Sequence, residues 1–273
     1  MDLPIKLIST DFDGTLHTED EHPRIPMALS QLLAKCQAEG ISWAINTGRS
    51  LPHLDEGLAR AGVPLRPDYA LVVEREIYRR TPSGWEAFAE WNNSCTAAHK
   101  DVYARSAQIL KHARLILDEE NVPTVYADDY SPLCWIASHS ESSVRIHTRL
   151  DALFAGKSCL AVMRNDIYAR LSHPDYHKGS ALGELSRHLG IHADQVVAAG
   201  DHVNDLSMLS HRYARWLIAP SNAVSEVKET VARQAGVLSP HPCGHGVEHG
   251  LRTILAAKNR STPGAPPKSG ALT

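Results

Sequence analysis

The sequence predicts an α/β fold: a doubly wound parallel sheet interrupted by an inserted α+β segment. Three observations predict it. Short apolar runs alternate with helical periodicity near the start of the chain; hairpin-like pairs replace that alternation from about residue 79 to 172; and the alternation resumes from Lys178 onward.

The first strand is expected over Pro4 to Thr10, running into Asp11-Phe12-Asp13-Gly14-Thr15. A helix from about Pro26 to Glu39 carries Met27, Leu29, Leu32, Leu33 and Cys36 on a helical period, and Gly40 closes it as a left-handed cap residue. Ile41 to Asn46 is the next strand, with Thr47-Gly48-Arg49 as the turn after it. A helix over 51–61 and a strand over Tyr69 to Val73 complete the opening unit. Strand, helix, strand, helix, strand in this order implies parallel neighbours joined by crossover helices.

The middle of the chain reads differently. Strands over 76–80 and 85–91 flank Pro82-Ser83-Gly84, a single long helix covers about 95–120, and strands over 122–127 and 133–138 flank Asp128 to Pro132. A helix over 141–154 and strands over 158–164 and 167–172 end the segment. After it come a helix over 179–189, a strand over 195–199, a helix over 204–210, a strand over 214–218, and helices over 225–232 and 246–258. The expected organisation is therefore a core from 1–78 and 173–258, an insertion over 79–172, and a disordered Pro/Gly/Ser-rich tail over 259–273.

Composition narrows the function classes. With 43% hydrophobic and 22% charged residues, the 273-residue chain is of ordinary globular make-up. A net charge of -3 leaves no broad basic field for nucleic acid or an anionic membrane, so neither partner is expected. No window approaches the roughly 18 apolar residues of a membrane span. Five widely spaced cysteines without a CxxC fit reduced thiols, and with no leader-like apolar stretch the expected location is the cytoplasm. His241, Cys243 and His245 in HPCGHG read as a Gly/Pro-rich loop, because no second zinc-spaced element accompanies them. Oligomeric state is not legible.

The chemistry concentrates where strands end. Ligands of open α/β sheets sit beyond the carboxyl ends of the strands, and Asp11-x-Asp13-Gly14-Thr15 falls there. Two carboxylates two residues apart on a Gly turn can hold a hard cation, and one can attack phosphorus while the other handles a proton. A bare DxD is usually a solvated turn. The whole DxDGT string after a buried strand is much rarer, roughly one chance in several hundred for a chain of this length.

STDFDGTL resembles the first motif of the haloacid dehalogenase superfamily of phosphohydrolases. Asn46-Thr47-Gly48-Arg49 resembles its second motif, Lys178 in Tyr176-His177-Lys178-Gly179 its third, and Gly200-Asp201-His202-Val203-Asn204-Asp205 its fourth. The resemblance implies Asp11 as nucleophile and Asp13 as general acid and base. It implies phosphoryl binding by Thr47, Gly48, Arg49, Lys178 and Asn222, the last in Pro220-Ser221-Asn222. It implies Mg²⁺ held by Asp11, the Asp13 carbonyl and Asp201, with Asn204 and Asp205 supporting. An acid at position 13 fits phosphatases or phosphomutases, since the dehalogenases lack it and the P-type pumps carry DKTGT.

The insertion resembles the large α+β cap of sugar-phosphate phosphatases, which selects the substrate, and Pro67 to Val73 with Glu76-Ile77-Tyr78 resembles the sucrose-phosphate phosphatase and Cof-type branch. Glu74 and Arg75 depart from it, standing where relatives carry a small Gly-containing turn. Trp85, Trp91, Asn92 and His99 are candidates for a sugar pocket or, more simply, for packing. The expected partner is a small phosphorylated metabolite. A phosphohexomutase remains open, with Arg105, Arg114, Arg145, Arg149 and Arg164 available to grip a second phosphate, and so does a non-catalytic binding protein on the same fold.

Overall fold

Strand β1 (Leu7–Thr10) is buried at every residue, and this places it at the centre of the molecule. Its side chains alternate between two cores: Ile8 joins one apolar cluster and Leu7 the other. Strand β10 (Val196–Ala199) repeats the alternation, with Val197 and Ala199 on one face and Val196 and Ala198 on the opposite one. A strand buried on both faces is what a parallel sheet flanked by helices requires.

The computed structural model describes residues 5–156 and 160–260. Its larger sheet has eight strands in the order β12-β11-β10-β1-β2-β3-β4-β5. Strands β2 (Ser42–Asn46), β3 (Tyr69–Val72), β11 (Trp216–Ala219) and β12 (Val237–Leu238) run parallel with β1 and β10. Helices α1 (Met27–Ala38), α2 (Leu51–Arg60) and α8 (Cys243–Arg260) bury Leu29, Leu54 and Leu251 on one face. Helices α6 (Lys178–Leu189) and α7 (Ser225–Arg233) bury Leu182 and Val227 on the other. This is a mixed α/β fold with a parallel-dominated central sheet.

Hairpin β4 (Glu76–Thr81) and β5 (Gly84–Ala87) adds antiparallel strands to the β3 edge, with Val72 opposite Glu76, so it belongs to the large sheet. A second sheet, ordered β6-β7-β9-β8, comprises Thr124–Tyr126, Cys134–Ile136, Tyr168–Ser172 and Ala161–Asn165. Helices α4 (Ala107–Glu119) and α5 (Ser140–Phe154) pack Leu117, Ile146 and Leu150 with Trp135 into a third core.

Several elements differ from expectation. The long helix over 95–120 is two helices, α3 (Ala89–Arg105) and α4, parted at Ser106, whose backbone leaves the helical range at ψ 13°. The strand expected over 85–91 ends at Ala87, because Asn92 caps the hairpin edge: its amide bonds both N–H and C=O of Ile77, at 2.9 and 3.0 Å, which needs a helical turn. The helix expected over 204–210 is a 3₁₀ turn, Val203–Asp205, since Asp205 Oδ2 accepts from the amides of Asp201 and His202 and fixes a tight loop. The HPCGHG segment is partly helical, α8 beginning at Cys243. The tail beyond residue 260 and the start of the 158–164 strand lie outside the described residues.

Candidate active site

The carboxyl ends of five parallel strands meet at one edge of the large sheet, and each releases a polar group there. Asp11 follows β1, Thr47 follows β2, Glu74 follows β3, Asp201 follows β10 and Asn222 follows β11. Residues separated by almost the whole chain converge because the crossovers return every strand in the same direction.

Lys178 joins them from the first turn of α6. Its helix is capped by His177, whose Nδ1 accepts from the Ser180 amide at 3.2 Å while Ser180 Oγ accepts from the His177 amide at 2.9 Å. The capping box fixes where the first helical residue points. Lys178 Nζ, fully buried, donates to Asp11 Oδ1 at 2.7 Å and to Asp205 Oδ1 at 2.6 Å. A cation at a helix N-terminus opposes the helix dipole, but two carboxylates in contact outweigh that cost. Burial disfavours the ammonium, yet Asp11, Asp205 and Glu74 together raise its pKa.

Asp11, Asp201 and Asp205 form a tight acidic group, one oxygen of each lying within 4.8 Å of the others. Burial first, then repulsion from Asp205 and Asp201, raises the Asp11 carboxyl well above its usual range even against Lys178. Burial and Asp205 push Asp201 up to about 7. One ammonium does not balance three acids. Asp11 Oδ2 is moreover buried without a hydrogen-bond partner among the described residues. A hard oxygen-ligated cation fits both features.

Gly14 makes the approach possible. Its φ is +73°, and a Cβ there would sit 2.5 Å from Asp201 Oδ2. Thr15 Oγ1 then donates to Asp201 Oδ1 at 2.6 Å. Thr15 is a site residue that the DxDGT string contained but to which no role was attached.

The other expected residues are placed as follows. Asp13 accepts two bonds from Arg49, Nε to Oδ2 at 2.7 Å and Nη2 to Oδ1 at 2.6 Å, so Arg49 is engaged with an acid. Thr47 is buried, and its Oγ1 accepts from the Arg49 amide at 3.2 Å across Gly48. Asn222 braces two loops: its Nδ2 donates to Gly14 O at 2.8 Å and its Oδ1 accepts from the Cys243 amide at 2.7 Å. Asn204 donates to Glu74 Oε1 at 2.9 Å. Trp91 Nε1 donates to Arg75 O at 2.6 Å, and Trp85 Nε1 to Asp55, so both indoles serve packing. His99 bonds Cys95 O and Ser172 Oγ between α3 and β9.

A cavity of about 580 Å³ opens beside Asp13, Arg49 and Glu74, its far wall carrying Tyr126, Tyr168 and Arg170 of the small sheet. Arg170 donates across the gap to Gly48 O at 3.1 Å.

A doubly wound sheet with a buried acid–lysine centre at its carboxyl edge is suited to phosphoryl transfer. The chain belongs to the haloacid dehalogenase-like hydrolase family, whose model matches residues 91–249, and is an enzyme of its phosphatase kind. It is 23% identical to "Putative phosphatase YxeH" of Bacillus subtilis (strain 168), over 93% of this chain and 99% of that one. It is 26% identical to HMP-PP phosphatase of Cronobacter sakazakii (strain ATCC BAA-894), over 75% and 80%. Its fold is that of the sucrose-phosphatase of Synechocystis sp. PCC6803, solved with sucrose and phosphate: TM-score 0.68, 17% identity, 94% of this chain and 98% of that chain. Among the described residues no helix is long and apolar enough to cross a membrane.

Proposed function

We propose that this chain is a Mg²⁺-dependent phosphomonoester hydrolase that works through an aspartyl-phosphate on Asp11 and acts on a small sugar phosphate. The observation that carries the reading is the convergence of Asp11, Asp201 and Asp205 around the buried Lys178 ammonium. Asp11 and Asp201, with the Asp13 carbonyl, would hold the ion, and Asp205 would support them. Bound there, Mg²⁺ would neutralise the acidic group and the charge of the phosphoryl oxygens.

An oxygen of Asp11 attacks phosphorus, the bond to the leaving oxygen breaks, and Asp13 supplies that oxygen's proton. Water then attacks the aspartyl-phosphate, Asp13 accepts its proton, and phosphate departs with Asp11 restored. While both Asp13 oxygens accept from Arg49, the carboxyl has no proton to give. Proton transfer therefore requires Asp13 to leave Arg49, and substrate entry beside them is the event that can separate the pair. Thr47 and Lys178 hold the phosphoryl oxygens, and Asn222 keeps the Gly14 turn closed on Asp201.

The small sheet acts as the cap, within an insertion over 79–172 whose opening hairpin stays with the core sheet. A sugar fits the cavity because hydroxyl-binding polar groups and two tyrosines face each other across it, and the sucrose-phosphatase of the same fold was solved with sucrose. Of the arginines the mutase reading needs, Arg105, Arg114, Arg145 and Arg149 are each paired with an acid, namely Asp101, Asp118, Glu120 and Glu119, whereas Arg164 Nε is buried without a hydrogen-bond partner among the described residues.

Phosphate release across a panel of sugar phosphates, with and without Mg²⁺, tests the proposal. We expect Mg²⁺-dependent release that Asp11→Asn lowers by more than about 99%, the loss typical of a nucleophile, with an unchanged circular dichroism spectrum. Turnover retained in that variant would remove Asp11 from its role.

A further inference from the structure

The turn between β3 and β4 consists of Val73, Glu74 and Arg75. Val73 has φ +45° and Glu74 φ +67°, the left-handed region that L side chains avoid and glycine occupies freely. Of these, Glu74 stands, with Arg75, where the sequence resemblance leads one to expect a small Gly-containing turn. The conformation is held from outside: the Val73 amide donates to Arg49 O at 2.9 Å and the Glu74 amide to Thr47 O at 3.0 Å. Strain that persists because its surroundings enforce it marks a place to look for function.

The side chain strengthens the case. Glu74 is only 6% exposed. Its Oε1 accepts from Asn204 and packs 3.3 Å from where a Cβ on Gly48 would lie. Its Oε2 is buried with no hydrogen-bond partner among the described residues. Glu74 also lines the large cavity together with Asp13 and Arg49. A carboxylate oxygen can only accept, and burying one unpaired is costly. Among the described residues no side chain meets that demand, so the complementary donor belongs to whatever fills the cavity.

Charge narrows the donor. Asp13, Glu19 and Glu74 share the cavity with Arg49 and Arg170, and Arg49 is already engaged with Asp13, so a second anion on the leaving group would meet more acids than free guanidinium groups. Neutral hydroxyls next to the scissile ester satisfy Oε2 without that penalty. The exposed rings of Tyr126 and Tyr168 supply flat apolar faces opposite.

We propose that Glu74 is a specificity-determining residue that accepts hydrogen bonds from the hydroxyls of a phosphorylated polyol. This rests on the phosphomonoesterase reading of the same site. Glu74 spends backbone comfort to select the alcohol half of the substrate, whereas Asp11 and Lys178 serve the phosphoryl half.

Calorimetric binding of glycerol 1-phosphate and its deoxygenated analogue, propyl phosphate, tests this on the full chain in Mg²⁺. The wild type should prefer the hydroxylated ligand by about tenfold or more, the worth of hydrogen bonds to a charged acceptor. Glu74→Gln and Glu74→Gly should each shrink the preference to about threefold or less, while Glu74→Gly raises the melting temperature by about 2 °C through relief of the turn. Equal weakening of both ligands, an unchanged preference, or no preference in the wild type would overturn the proposal. Phosphate release by the wild type is scored separately. A preference that moves without any turnover would sink the hydrolase reading and leave Glu74 in place.

Discussion

The two sheets of this protein carry their charges in opposite ways. At the carboxyl edge of the large sheet, Lys178, Asp11 and Asp205 are buried, and the lysine is bonded to both acids within 2.7 Å. On the helices of the small sheet, pairs such as Arg114 with Asp118 and Arg105 with Asp101 stand more than half exposed. Buried charges cost several kcal/mol each to desolvate, so they persist only where function or full pairing holds them. Exposed pairs cost little and contribute little. The contrast separates a part of the molecule shaped by chemistry from a part shaped by solubility and by the fit of a substrate.

The largest effect should follow from breaking the buried cluster. Lys178→Ala removes the ammonium from Asp11 and Asp205 and leaves two unbalanced carboxylates in a water-poor site. Loss of one member of a buried pair costs about 3–5 kcal/mol. Urea unfolding in the absence of divalent cations should register a loss of that size, and phosphate release should fall with it. A loss below about 1 kcal/mol would mean that the cluster is hydrated and that the contrast drawn here is false.

A smaller effect belongs to the junction between the two sheets. His99 lies between α3 and β9, buried, with Nδ1 at 2.7 Å from Cys95 O. Its Nε2 accepts the His173 amide at 3.1 Å, which fixes the ring as the neutral Nδ1–H form. Burial, then the nearby Arg75 charge, lowers its pKa to about 4 from an ordinary 6.5. Below 6.5 the unfolded chain binds a proton that the folded one refuses, so stability is fully present above that pH and falls as pH drops toward 4. Between pH 7 and pH 5 the loss from this residue should be about 2 kcal/mol. Denaturant midpoints for wild type and His99→Gln at both pH values check it: the variant should lose correspondingly less, and equal losses would assign the pH dependence elsewhere.

How much of this was legible in the sequence follows the same division. The convergence of Asp11, Asp201 and Lys178 could be expected because the two acids fall at strand ends and the lysine opens a helix, each in a string short enough to be seen locally. The parallel sheet could be read because β1 and β10 are apolar on both faces and the intervening segments are helical. Tertiary pairings were not legible. Nothing near Asn204 says that its amide turns to Glu74, 130 positions away. Nothing in TGR says that the arginine closes on Asp13. The break at Ser106 escaped because the residues on both sides of it favour helix and only the packing of α4 against the small sheet decides the bend. Glu74 was visible only as a departure from resemblance, since the cost of its backbone appears once φ is known.

The smallest effect sharpens the comparison from the exposed side. Arg114 and Asp118 are one helical turn apart on α4, 3.0 Å between Nε and Oδ1, with side chains 52% and 54% exposed. Water screens such a pair and both long side chains lose freedom to form it, so Arg114→Ala should change stability by no more than a few tenths of a kcal/mol. Because Arg114 faces away from the cavity, kcat/KM for phosphate release should stay within about 1.5-fold of the wild type. A mutase that used this arginine to grip a second phosphate would lose a charge-assisted contact worth roughly 1.5–3 kcal/mol, or at least tenfold in kcat/KM on a hexose phosphate. Steady-state kinetics on the one variant therefore separates an ornament of the surface from a working residue, and a tenfold drop would move the small sheet's outer face into the active machinery.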